Sequence, residues 1–174
     1  QTNRNTLLWQ DPSVDGIKTG HTESAGYCLV ASAEKEAMRL VSVVMGAKSM
    51  KARIRETQKL LNYGFRFYQT DLIFPAGKPI RQVKVWKGAK DQVSLGVKQD
   101  VYVTFPRNQK QFVSQRYSLP DRFIAPVTRG RFYGMVNIDF NGQPIASAQL
   151  EALEEIPEGS WFKLLQDEFW LLFE

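Results

Sequence analysis

The spacing of hydrophobic and polar positions changes character along the chain. Between residues 14 and 46, leucine, β-branched and aromatic residues gather in short runs at 27–33 and 38–45, separated by the polar turn Glu34-Lys35-Glu36. Short apolar runs bounded by turn residues behave as strands. The region therefore predicts strand, turn, strand, turn, strand, with Gly20 and Gly26 bracketing the first turn. Residues 49–63 take helical spacing instead, with Met50, Ile54, Thr57 and Leu61 at i, i+4, i+7 and i+11. Ser49 is the predicted N-cap and Gly64 the predicted stop.

Residues 72–79, Leu-Ile-Phe-Pro-Ala-Gly-Lys-Pro, have the punctuation of a linker. Beyond them come short alternating runs at 82–86, 92–97, 101–105, 112–119, 123–127 and 133–140. Asn141-Gly142 predicts a tight hairpin leading into residues 144–150. This half reads as a small β-sandwich-like domain. Residues 160–174 then place Lys163, Gln166, Asp167 and Glu174 on one helical face, and Trp161, Phe162, Leu165, Phe169, Leu172 and Phe173 on the other. An amphipathic helix this short cannot span a bilayer but is suited to lying in its surface. Docking of the same helix on its own domain is the competing reading.

Composition narrows the function classes. The 174 residues are 43% hydrophobic and 24% charged, an ordinary globular balance that allows one large domain or two small ones. A single cysteine, Cys28, excludes an internal disulfide and a multi-cysteine metal site, and its apolar run predicts a buried, inert thiol. A single histidine excludes a two-histidine zinc site, and a Ser-His-Asp triad would have to use His21. The net charge of +5 favours anionic partners. The basic residues are scattered, however, with no basic run or recognition helix, so nucleic acid is not an expected partner; anionic cell-surface polymers or lipid head groups fit the charge. No twenty-residue apolar span is present to cross a membrane.

The segment richest in chemical content is Lys18-Thr19-Gly20-His21-Thr22. A Lys-Thr-Gly triplet is one of three motifs of the penicillin-interacting serine acyltransferases. Its surroundings extend the match: Val14-Asp15-Gly16-Ile17 before it, residues 25–33 and 38–46 after it, then 59–67, 93–97 and 155–159. Over essentially its whole length the chain resembles the low-molecular-mass penicillin-binding proteins, the serine-type D-alanyl-D-alanine carboxypeptidases of the penicillin-binding protein 5 and 6 group.

The resemblance implies an α/β part followed by an all-β one. Residues 1–70 would be the C-terminal part of a penicillin-binding, β-lactamase-like transpeptidase domain, built from antiparallel strands plus a helix. Residues 71–157 would form the small sandwich-like β-domain, and 158–174 an amphipathic membrane-anchor helix. By the same resemblance Lys18 holds a positive field near the nucleophile, the Thr19 hydroxyl binds the terminal carboxylate of the substrate, and the backbone N–H of His21 is an oxyanion donor. Gly20 clears the strand edge for an extended peptide. Arg53, early in the predicted helix, brings a guanidinium toward the substrate carboxylate, with Arg4 a further cation near the cleft. The His21 imidazole is then a cleft-wall group or merely structural, and Arg55 a solvated neighbour.

Implied partners are peptidoglycan stem peptides, β-lactam antibiotics and, through the C-terminal helix, the periplasmic face of the inner membrane; no cofactor or metal is implied. One departure from the family pattern is plain. No Ser-x-Asn occurs, and the two Ser-x-x-Lys matches, Ser32 with Lys35 and Ser160 with Lys163, follow the triplet instead of preceding it. The expectation is therefore that the nucleophile and its base lie upstream of Gln1, so that this chain alone is inactive. Two other readings stay open: a membrane-tethered β-rich interaction module, and a β-lactamase relative, against which the β-domain and tail argue.

Overall fold

The computed structural model describes residues 3–171. The predicted strand run forms an antiparallel sheet of β1 (Val14–Thr22), β2 (Gly26–Lys35) and β3 (Met38–Ala47), in that order. A short helix, α1 (Leu7–Gln10), precedes the sheet, and a long one, α2 (Met50–Phe67), follows it. Ser49 caps α2 as predicted, its hydroxyl accepting from the Ala52 N–H at 3.1 Å. Leu7, Val14, Leu29, Ala31, Ala33 and Leu61 form the buried cluster, with Leu40, Ile54 and Phe65 packed against it. Side chains on β3 alternate, so its opposite face carries Val41, Val43 and Met45 exposed.

The helix departs from the predicted stripe. Its buried positions are Arg53, Thr57, Leu61 and Gly64, while Met50 is 47% exposed. Thr57 and Leu61 are buried as the spacing predicts and Ile54 packs against the core, while Arg53, outside the stripe, is buried as well. Nor does Gly64 end the helix, which runs on to Phe67. A Cβ at position 64 would lie 2.4 Å from Leu40 Cδ1, so the glycine allows Leu40 to lie close against the helix. Gly64→Leu should destabilise the fold by about 1–3 kcal/mol through overpacking, measured by denaturant unfolding; unchanged stability would show that the helix–strand contact yields freely.

The residues expected as a linker are partly a strand. β4 (Tyr68–Phe74) starts directly after α2, and the predicted turn is confined to the residues after Phe74. β4 pairs with β7 (Val101–Pro106). The chain divides into two compact units, Gln1–Asp71 with Thr104–Asn108, and Leu72–Val103 with Gln109–Glu174.

The second unit is all-β apart from its last helix and a 3-10 turn at Lys110–Phe112. Its strands are β5 (Arg81–Trp86), β6 (Gln92–Gly96), β8 (Val113–Ser118), β9 (Phe123–Ile124), β10 (Phe132–Phe140) and β11 (Gln143–Ala152), ordered β8-β10-β11-β6-β5-β9. Val85, Val93, Leu95, Val136, Ile138 and Leu150, each at most 1% exposed, supply its core. β10 and β11 are joined at Asn141-Gly142, whose φ values of 51° and 74° are those of the predicted two-residue turn. The fold class is therefore α/β followed by a small, sandwich-like β-domain and a C-terminal amphipathic helix.

That helix is α3 (Trp161–Leu171). Asp167 is buried against the β-domain, while Trp161, Phe162, Leu165 and Phe169 point outward. Leu172, Phe173 and Glu174, which continue the two faces in sequence, lie outside the described residues. Among the described residues no helix is long and apolar enough to cross a membrane.

Candidate functional site

β1 is the outer strand of its sheet, so one of its edges has no partner strand among the described residues. Register sets Lys18 opposite Val30, Thr19 opposite Leu29, Gly20 opposite Cys28 and His21 opposite Tyr27. Because side chains alternate, Lys18 and Gly20 share the face turned away from α2, whereas Thr19 and His21 share the α2 side. An open cavity of about 590 Å³ beside this strand is lined by Lys18, Thr19, Gly20, His21, Arg4 and Arg53, with Asn3 and Ile17 completing it. All the sequence-predicted site residues thus meet at one cavity.

Its charge is one-sided. Arg4, Lys18 and Arg53 line it, and among the described residues no carboxylate does. A cleft lined by charges of one sign concentrates ions of the other, so this lining favours anions. The Lys18 ammonium is exposed and donates to the Thr19 carbonyl at 3.0 Å.

Arg53 is 2% exposed. Its Nη1 donates to the carbonyls of Gly20 at 3.2 Å and Cys28 at 3.3 Å, and its Nη2 to that of Arg4 at 3.3 Å. Its Nε has no partner, and no carboxylate pairs with it among the described residues. The guanidinium thus ties β1, β2 and the segment before α1 together. The sequence predicts a planar fork on the substrate carboxylate; both Nη atoms already donate to backbone carbonyls. Arg55, the predicted solvated neighbour, is exposed and pairs with Glu56.

The His21 ring lies 4.1 Å from that of Tyr27, and the Arg53 guanidinium lies 5.7 Å from the same Tyr27 ring. No serine or carboxylate bonds the imidazole among the described residues. Tyr27, which the hairpin register places across from His21, backs the imidazole and the guanidinium of two lining residues. Gly20 is informative for a different reason. A Cβ there would meet only Cys28 Cβ at 3.7 Å, an ordinary contact, so packing does not require a glycine.

Both Ser-x-x-Lys pairs are occupied elsewhere. Ser32 is buried and accepts from Arg39 Nη1 at 2.6 Å, while Lys35 sits over the Phe65 ring. Lys163 is paired with Asp91 and Asp167. Cys28 corrects its expected burial: it is only partly covered, its thiol donating to the Ala25 carbonyl at 3.4 Å.

A Lys-Thr-Gly strand at a sheet edge, backed by a helix and followed by an all-β unit, defines a chain of the penicillin-interacting class. The family model described as penicillin-binding protein 5, C-terminal domain, matches residues 68–158, and that described as D-alanyl-D-alanine carboxypeptidase matches residues 1–49. The chain belongs to the low-molecular-mass penicillin-binding protein 5 family. It is 44% identical to D-alanyl-D-alanine carboxypeptidase DacA of Escherichia coli over 99% of its own length and 43% of the relative's. It is 30% identical to DacF of Bacillus subtilis over 94% of its length and 42% of the relative's. The crystal structure of penicillin binding protein 5 from Haemophilus influenzae superposes with a TM-score of 0.79 at 43% identity, covering 91% of this chain and 47% of that one. The chain thus spans less than half the length of these relatives.

Proposed function

We propose that the protein is a serine-type D-alanyl-D-alanine carboxypeptidase that removes the terminal D-alanine of peptidoglycan stem peptides through an acyl-enzyme. The observation that carries this reading is the cavity lined, among the described residues, by three cations and no carboxylate, beside an outer strand bearing Lys-Thr-Gly. An extended peptide adds to that edge by backbone pairing, and its free carboxylate meets the Thr19 hydroxyl within the field of Arg53 and Lys18. A serine oxygen supplied from outside these 174 residues attacks the penultimate carbonyl. The oxyanion is held by backbone N–H groups, that of His21 among them. D-alanine departs, and water then hydrolyses the ester. Penicillin, which resembles the acyl-D-alanyl-D-alanine end, acylates the same serine.

The same proposal divides the chain into a catalytic-domain part (1–70), a β-domain (71–157) and an anchor (158–174), and sets the protein on the periplasmic face of the inner membrane. The exposed apolar stripe of α3 supports the anchor, since Trp161, Phe162, Leu165 and Phe169 are each 58–66% exposed. The test is release of D-alanine from an acyl-D-alanyl-D-alanine peptide. The complete protein should release it and residues 1–174 alone should not; turnover by residues 1–174 would place a nucleophile inside this chain and overturn the assignment.

A further inference from the structure

Polar side chains of α3 are engaged by the β-domain. Asp167 is 3% exposed, and its Oδ2 accepts from the backbone N–H of Lys87 at 2.6 Å. Its Oδ1 lies 3.0 Å from the Lys163 ammonium, which reaches on to Asp91 at 2.6 Å. Lys87 in turn pairs with Glu168. These contacts converge on the turn between β5 and β6, where Lys87 is held at φ 59°.

The chain leading into α3 is fastened to the same turn through its backbone. The Gly159 N–H donates to the Lys87 carbonyl at 2.8 Å, and the Ala89 N–H to that of Pro157 at 2.9 Å. Gly88 bridges Glu158. A Cβ on Gly159 would stand 2.8 Å from the Gly88 carbonyl oxygen, so the approach depends on that glycine.

An isolated helix of this length is marginal in water, because nucleation is costly and each added residue gains little. An unattached amphipathic tail would therefore fold only on contact with lipid. Here the β5–β6 turn already supplies partners for the polar stripe. We infer that α3 is folded and latched to the β-domain before it meets a membrane, with Asp167 as the positioning residue that fixes which way its apolar stripe points.

The outward face rests on the anchor reading above, whereas the latch stands on the contacts alone. Its consequence is geometric. The lipid surface is met by a ready-made blade, and the β-domain takes one orientation to that surface instead of swinging on a tether. The charges agree with this arrangement, as Asp91 first and Asp167 second hold the Lys163 ammonium above the usual lysine range.

Hydrogen exchange of the complete protein in lipid-free buffer tests the latch. The amides of residues 165–171 should be protected, and Asp167→Ala should lower that protection about ten- to a hundredfold, as expected for loss of a buried charge-assisted hydrogen bond that holds a local unit shut. Protection of the β10–β11 hairpin should stay unchanged, which shows that the variant is folded. Unprotected α3 amides in the wild type would overturn the latch. Full protection persisting in Asp167→Ala would overturn the role of Asp167. Sedimentation with phosphatidylglycerol–phosphatidylcholine vesicles reads the other half: a wild type that stays off vesicles while its α3 amides are protected overturns the lipid-facing assignment and leaves the latch standing.

Discussion

Lys18→Ala is expected to slow acylation of the complete protein by benzylpenicillin about 10²–10³-fold, the usual cost of deleting one preorganised electrostatic stabiliser from an active site. The ammonium is exposed and, among the described residues, bonds only its neighbour's carbonyl at 3.0 Å, so the fold should not depend on it. Unfolding free energy should stay within about 0.5 kcal/mol of wild type, as for surface substitutions generally. This separation of rate from stability is the diagnostic part. Stopped-flow acylation and denaturant unfolding of the same preparation measure both. An unchanged acylation rate would remove Lys18 from the site; equal damage to both would make it a structural residue.

Arg53→Met should behave in the opposite way, losing stability and acylation together. Its guanidinium holds the carbonyls of Gly20, Cys28 and Arg4, which belong to three separate segments. A buried acceptor left without a partner costs about 1–3 kcal/mol. Deleting a buried charge gives some of that back, so the net loss should be on the order of 3 kcal/mol. Arg53→Lys should not rescue, since a compact ammonium cannot reach carbonyls on both Nη positions of a planar fork. Equilibrium unfolding of wild type and both variants decides the point. Stability within about 0.5 kcal/mol of wild type in Arg53→Met would show that solvent readily replaces the arginine.

Local signals make much of this molecule legible from its residues. The three-stranded run, the Ser49 cap and the Asn141-Gly142 hairpin each depend on neighbours a few residues apart. The Lys-Thr-Gly strand is readable for the same reason, being one contiguous segment. What escapes such a reading is non-local. Gly64 resembles a stop because glycine usually ends helices, but its purpose lies in Leu40 on another element. That Arg53 also holds three backbone carbonyls from distant segments is not shown by any periodicity. The start of β4 is hidden by the absence of any loop after α2. The one-sided charge of the cavity needs Arg4, Lys18 and Arg53 to be brought together from three places.

The central claim is that this chain contributes the carboxylate-binding edge strand of a penicillin-sensitive serine acyltransferase whose nucleophile it does not contain. The most direct measurement is the intact mass of the complete protein before and after incubation with benzylpenicillin, with the adduct mapped by peptide sequencing. The account predicts one penicillin per protein, carried by a serine outside residues 1–174. No mass gain, or an adduct on Ser32 or Ser160, would contradict it.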